Sequence, residues 1–260
     1  MSSEDSVLSD RRDSVARITI NRPNRRNAID PDVVRGIGAA LRAAEEDDAV
    51  HAVVLTGAGE KAFCAGGDLG GMTSDSRVGQ HFLRSEVGEL FLQMRSSRLP
   101  IVARVNGHAL GGGFGLMLAC DLVVAAENAE MGTPEIDLGL WPFMITAVIQ
   151  RDIPRKVALE MMLTGARVPA TEGERWGFVN RVVPASELDK SVDELVASVT
   201  SKSTLIAGLG KRSFYRAEDM SIEDSLEYLA GMLTVALESE DTVEGVTAFI
   251  EKRPPSWKGR

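Results

Sequence analysis

Residues 100–140 read PIVARVNGHALGGGFGLMLACDLVVAAENAEMGTPEIDLGL, and this stretch decides the fold. Pro100 to Val105 is a short, apolar, β-branched run of the kind that forms a buried strand. It passes through Asn106-Gly107 into the glycines Gly111-Gly112-Gly113, after which Phe114 to Cys120 is apolar all round and reads as a buried helix. Asp121 to Ala126 is strand again. Short apolar strands alternating with helices predict an α/β fold in which helices cover the sheets.

Outward from this block the same unit recurs. Val15 to Asn21 (VARITIN) alternates apolar and polar residues, as a half-buried strand does, and ends at Pro23. Asp30-Pro31 supplies an N-cap with proline at the first helical position, and Val33, Ile37, Leu41 and Ala44 follow at helical spacing. HAVVLTG from His51 is a strand. Beyond the glycine-rich FCAGGD, Phe63 to Asp68, an amphipathic helix over Phe82 to Met94 carries Leu83, Val87, Leu90, Phe91 and Met94 on one side. After Val183-Pro184 the strand signal ends, and Ser186 to Lys252 reads as consecutive helices with Leu188, Val192, Leu195 and Val199 at apolar positions. The spacing therefore predicts a frayed N-terminus over 1–14, an α/β core over 15–185 and a helical C-terminal region over 186–260. No repeat of fixed period is visible.

Composition narrows the function. The chain of 260 residues is 44% hydrophobic and 26% charged, enough to build a full core. A net charge of -9 leaves no overall basic face for nucleic acid, so an anionic ligand would have to use local patches, at Arg22, Arg25 and Arg26 or at Lys252 and Arg253. No apolar run approaches the length of about 18 residues that marks a membrane span, and Met1 to Arg12 is polar and charged without a signal-like core. Cys64 and Cys120 lie on dissimilar segments, which suits a reducing, cytoplasmic compartment without disulfides. His51, His81 and His108 share no ligand spacing, so no metal site is expected. GxSxG, HExxH, CxxC, GxxxxGK[ST] and a dinucleotide GxGxxG are absent, which removes several common enzyme classes.

Two glycine-rich loops remain, Phe63 to Asp68 and Asn106 to Gly113, each joining strand to helix. Glycine lets another molecule approach main-chain amides, and amides at the start of a helix point outward with partial positive charge. Together the loops could present two N–H groups to one oxygen. Either alone would be an ordinary turn.

With the loops placed, FCAGGD resembles the FxxGxD segment of the enoyl-CoA hydratase/isomerase (crotonase) superfamily, and residues 100–140 resemble that family's central block almost position by position. ITINRPNRRNAID, LTGARVPATEGERWGFVNRVVP and EGVTAFIEKR resemble further family blocks in the same order, so the likeness spans nearly the whole chain. It implies a spiral of ββα units with a C-terminal helical appendage, an acyl-CoA substrate, no cofactor beyond the CoA moiety, and a homotrimer or hexamer. It also implies an oxyanion hole formed by the amides of Gly67 and Gly112, each such donor worth about 3 kcal/mol in the transition state. CoA recognition would fall on Arg25, Arg26, Ala28, Lys61, Ala65 and Asp68, with Phe249 and Lys252 reaching a neighbouring subunit's ligand.

One position departs from the family. Family hydratases hold a water between two glutamates, one just after the glycine run and one in a PE segment. Glu135 matches the second, whereas Gly115 stands at the first. Gly139 and Pro142 limit any helix at Glu135 to about one turn. The apolar residues Met131, Ile136, Leu138, Leu140, Trp141 and Phe143 are expected to shield Glu135 and raise its pKa toward that of a general base. One carboxylate suffices to move a proton between carbons through an enolate, so double-bond isomerisation is the leading expectation. Hydration of a 2-enoyl-CoA, with Asp137 or Asp68 as a substitute partner, is the alternative, and a subunit that binds acyl-CoA without catalysis is a third.

Overall fold

The computed structural model describes residues 5–68 and 77–260, without the side chains of 77–80, 82 and 83. Its strands are β1 (Val7–Arg12), β2 (Val15–Ile20), β3 (Ala52–Gly57), β4 (Ala62–Cys64), β5 (Ile101–Val105), β6 (His108–Leu110), β7 (Leu122–Ala126), β8 (Glu130–Gly132), β9 (Arg167–Pro169) and β10 (Arg181–Val183). The helices are α1 (Pro31–Glu46), α2 (Arg77–Ser96), α3 (Gly112–Leu118), α4 (Phe143–Asp152), α5 (Arg155–Thr164), α6 (Ala170–Trp176), α7 (Leu188–Thr200), α8 (Thr204–Ala217), α9 (Ile222–Leu237) and α10 (Glu240–Glu251).

A six-stranded sheet runs β1-β2-β3-β5-β7-β10, and a four-stranded sheet runs β4-β6-β8-β9. Pairing is parallel except between β1 and β2 and between β8 and β9. The chain repeatedly lays one strand in the large sheet, one in the small sheet and then a helix: β3, β4, α2; β5, β6, α3. This is the expected spiral of ββα units.

Period-two alternation decides which layer each side chain enters. On β3, Val53 and Leu55 join the main core with Ile18, Ile37, Phe63, Ile101, Phe114 and Met117. Ala52 and Val54 face the other way, against Leu188, Val192 and Val196 of α7. The boundary expected at residue 185 thus divides α7 from the sheet it covers, and α8 is tied to the core as well, Lys211 donating to Leu99 O and Tyr215 to Asp121, each at 2.8 Å. Asp30 caps α1, accepting from the Val33 N–H at 2.9 Å, as its sequence predicts.

Two expectations need correction or limits. Residues 7–12 are not frayed: they pair with β2 from Val7↔Ile20 to Arg12↔Val15. An edge strand exposed on both faces needs no apolar alternation, so VLSDRR carries little strand signal. The helix expected over Phe82 to Met94 begins at Arg77 and buries Leu90, Phe91 and Met94; the side chains of Phe82 and Leu83 lie outside the described residues.

Candidate active site

The first glycine loop is clasped by the segment from Arg22 to Asp30. Arg26 (φ 51°) and Asn27 (φ 56°) are both left-handed. Asn27 offsets that strain by accepting from the Arg22 N–H and donating to the carbonyls of Ala58 and Ala62 at 2.8–3.0 Å. The Ala65 N–H donates to Arg26 O, the Ile29 N–H to Gly66 O, and the Asp68 N–H to Ile29 O, at 2.7–3.0 Å. Because Ile29 pairs with residues 66 and 68, the Gly67 N–H faces the other side. Asp68 accepts from Arg25 at 2.7 Å and from Arg22 at 3.0 Å. The hydrogen bond from Arg25, then that from Arg22, holds the Asp68 carboxyl below the usual carboxylate range.

The second loop meets the first edge to edge. The Gly111 N–H donates to Gly132 O at 2.8 Å, fixing the loop on β8. Gly111 turns at φ +53°, and Gly112 opens α3, where its N–H has no intrahelical acceptor. A Cβ on Gly66 would lie 3.6 Å from Gly112 N, and a Cβ on Gly112 would lie 3.7 Å from Gly67 N. The two amides expected to grip one oxygen therefore adjoin across a gap that glycine keeps open.

Glu135 completes this corner. It sits in a short 3-10 turn, Pro134–Leu138, closed by left-handed Gly139. A Cβ on Gly111 would come within 2.8 Å of Glu135 Oε1, so the carboxyl lies directly over the residue preceding Gly112. Among the described residues, Glu135 Oε2 and the nearby Thr133 Oγ1 are buried without a hydrogen-bond partner. Burial pushes the Glu135 pKa up. The shielding does not come from all the neighbours expected from sequence: Leu138 at the end of the one-turn helix, Leu140 beyond it and Phe143 at the start of α4 are exposed, Phe143 to 78%.

Among the described residues, no second carboxylate joins Glu135 at this corner. A Cβ on Gly115 would overlap Ile145 Cγ2, lie 2.6 Å from Ile145 Cβ and touch Phe91 Cζ at 3.4 Å. The proposed substitutes are engaged elsewhere: Asp137 is exposed with its carboxylate against Gly165 at the end of α5, and Asp68 is held by its arginines.

The loop pairing brings Arg25, Arg26, Ala28, Ala65 and Asp68 together. Lys61 joins them through the turn before β4, its carbonyl accepting from the His108 N–H at 3.2 Å. Arg25 is committed to Asp68, whereas Arg26 and Lys61 are exposed, with no ion pair among the described residues. Phe249 (84% exposed) and Lys252 (left-handed at the end of α10) lie on the surface. Sequence reasoning missed the role of Arg22, seen only as part of a basic patch, and missed Ile145, for which no local signal exists.

Comparison with known proteins gives the family. Residues 10–260 match the family model described as Enoyl-CoA hydratase/isomerase. The chain is 35% identical over 254 residues to a carnitinyl-CoA dehydratase of Proteus mirabilis, covering 96% of this chain and 97% of the relative. It is 37% identical over 251 residues to that of Salmonella typhi, covering 95% of each. Among solved structures, an enoyl-CoA hydratase of Mycobacterium smegmatis superposes with a TM-score of 0.94 at 34% identity, covering 98% of this chain and 99% of that one. Another, from Bacillus anthracis, gives 0.93 at 30% identity, with 98% and 100% covered. With a family model spanning almost the entire chain and relatives alike from end to end, this protein belongs to the enoyl-CoA hydratase/isomerase (crotonase) family.

Proposed function

We propose that this enzyme binds an enoyl-CoA thioester, polarises its carbonyl between the amides of Gly67 and Gly112, and shifts the double bond with Glu135 as sole proton shuttle. The observation that carries this reading is the buried, unpartnered Glu135 Oε2 of a carboxyl that lies over Gly111, next to the Gly112 amide, with Ile145 pressed on Gly115, where the second family carboxylate would start. Glu135 removes a proton from C2 of a 3-enoyl thioester, the electron pair passing into a dienolate whose oxygen the amides hold. The same carboxylic acid returns a proton to C4, leaving the 2-enoyl thioester and the ionised glutamate. Nothing is consumed. Fixed amide donors stabilise the oxyanion without reorganising, and a carboxyl whose pKa is raised by burial is a better base in its ionised form.

The anionic CoA moiety would meet Arg26 and Lys61, with Arg25 turned partly toward Asp68. A neighbouring copy in a trimer or hexamer would bring Phe249 and Lys252 to the same ligand and cover the exposed faces of α9 and α10, which carry Leu226, Leu233 and Val246. A second reading, water addition to a 2-enoyl-CoA, is favoured by the names of the relatives.

Incubating a panel of 3-enoyl- and 2-enoyl-CoA thioesters in deuterated water, followed by mass spectrometry, separates the readings. The proposal expects isomerised product and deuterium at C2 or C4. A product heavier by one water as the main species, or binding without turnover, would overturn it.

A further inference from the structure

We infer that Ile145 is a specificity-determining residue: its side chain occupies the space that a second carboxylate and its water would need, and so bars water from the site. This rests on the reading of Glu135 as a lone proton shuttle. Positions 111 and 115 lie one turn apart, joined by the hydrogen bond from the Gly115 N–H to Gly111 O at 3.1 Å. Glu135 stands over the first of these positions, and Ile145 Cγ2 presses on the second. Ile145 is 3% exposed on the buried face of α4, shared with Val148 and Ile149, and Phe91 of α2 closes the contact from the far side.

The backbone at Gly115 does not demand glycine. Gly115 is absent from the left-handed positions and sits inside α3 with helical hydrogen bonding on both sides, its carbonyl accepting from the Ala119 N–H at 2.9 Å. A side chain is excluded there only because Ile145 fills the space. Glycine at 115 and isoleucine at 145 are thus two halves of one packing choice: a methyl group in a dry pocket in place of a carboxylate in a wet one. Water addition requires a hydroxyl on C3 and a proton on C2, and Ile145 Cγ2 stands where a side chain from position 115 would bring a second acceptor for the water.

Geometry also fixes which replacements can reopen it. Ile145 Cβ alone stands 2.6 Å from a Cβ built on Gly115, so alanine at 145 still collides with a side chain at 115 and only glycine clears the space. The test compares Gly115→Glu alone, Gly115→Glu with Ile145→Ala, and Gly115→Glu with Ile145→Gly. Thermal melting and acyl-CoA binding report the fold, and hydration of a short 2-enoyl-CoA reports the chemistry. The glycine pairing should hydrate at least about tenfold faster than either of the others. At an intact Gly115, Ile145→Ala should raise the ratio of hydration to α-proton exchange several-fold. Ile145→Val keeps Cγ2 and should leave that ratio unchanged, whereas a merely structural role for Ile145 would move the ratio in neither variant.

A folded Gly115→Glu, Ile145→Gly protein that hydrates no faster than Gly115→Glu alone would overturn the inference, as would an unmoved ratio in Ile145→Ala or brisk hydration by the unsubstituted protein. If the double variant does not fold, the Ile145→Ala and Ile145→Val pair decides. Failure of the shuttle reading registers separately, as exchange that survives Glu135→Gln. A gain of hydration in the double variant requires no exchange activity in the parent.

Discussion

Two carboxylates flank the adjoining glycine amides, and they are treated in opposite ways. Asp68, next to Gly67, accepts hydrogen bonds from two arginines, and its pKa is driven down. Glu135, over Gly111, keeps one buried oxygen without a donor, and its pKa is driven up. A satisfied carboxylate with a lowered pKa ties chain segments together but is a poor base. A desolvated and unpaired one costs stability, and proteins retain such groups where proton transfer needs them. The contrast fits the proposed roles, structure on the Asp68 side of the site and chemistry on the Glu135 side.

The most damaging break in that contrast is Glu135→Gln. It should leave acyl-CoA binding intact while α-proton exchange, followed by mass spectrometry, falls by about a hundredfold or more. On the proposed mechanism the ionised form is the base, so exchange should decline as pH falls through a midpoint above the ordinary glutamate value of about 4.3. Stability follows the same sign. A carboxyl whose folded pKa is raised penalises the fold above that pKa and not below the unfolded value, so Glu135→Gln should raise the melting temperature more at alkaline than at acidic pH.

Gly112→Ala probes the gap between the two sides. Its Cβ would meet only ordinary contacts, at 3.5 Å from Ile29 Cδ1 and 3.7 Å from Gly67 N, so the fold should survive with little change in melting temperature. The methyl group would stand in front of the Gly67 amide, where the thioester oxygen is proposed to sit. Steady-state kinetics should show kcat reduced by tens of fold, approaching the roughly hundredfold cost of losing one oxyanion donor. An active Gly112→Ala enzyme would move the oxyanion elsewhere.

How much of this was legible in the sequence follows from the range of each interaction. The glycine loops, the cap at Asp30 and the one-turn helix at Glu135 depend on residues within a few positions of one another, and their signals are local. Strands β4, β6 and β8 have three residues each, too few for any period to register. Ile145 is invisible for another reason. What matters is that it meets Gly115 across thirty residues of chain, and an isoleucine in an apolar helix looks like any other core residue. The surroundings of Glu135 misled because apolar neighbours in sequence were taken as neighbours in space, whereas Leu138 ends the short turn facing outward and Phe143 opens the next helix on the surface.

Asp68→Asn attacks the structural side and should act on stability before activity. Asp68 and Arg22 are 12% and 15% exposed in their side chains, while Arg25 is 63% exposed, so the pairing with Arg25 is largely screened by solvent. Loss of the clasp should cost about 1 kcal/mol, less at high salt. A depressed folded pKa stabilises above the unfolded value of about 3.9 and ceases to do so as pH falls through the folded value. The acid limb of the melting-temperature profile should therefore flatten in Asp68→Asn while the neutral plateau drops. An unchanged profile would reduce the arginine clasp to a surface pairing.

The smallest expected effect concerns the cations around the clasp, and it separates ligand charges from structural ones. Arg25 already spends its charge on Asp68 at 2.7 Å, while Arg26 and Lys61 are exposed with no ion pair among the described residues. If CoA phosphates use this patch, the free cations should matter more for binding than the committed one. Arg26→Ala and Lys61→Ala should each weaken CoA binding by a few-fold at low ionic strength, an effect that fades as salt shortens the screening length to about 8 Å at 0.15 M. Arg25→Ala should instead lower the melting temperature slightly, by less than Asp68→Asn, which also loses Arg22, and adding it to Asp68→Asn should cost little more, because the Arg25 pairing is already gone. Isothermal titration with CoA across a salt series, set beside the melting curves, reads both quantities. If Arg25→Ala weakens binding more than Arg26→Ala or Lys61→Ala, the phosphates compete with Asp68 for Arg25, and the clasp opens when ligand binds.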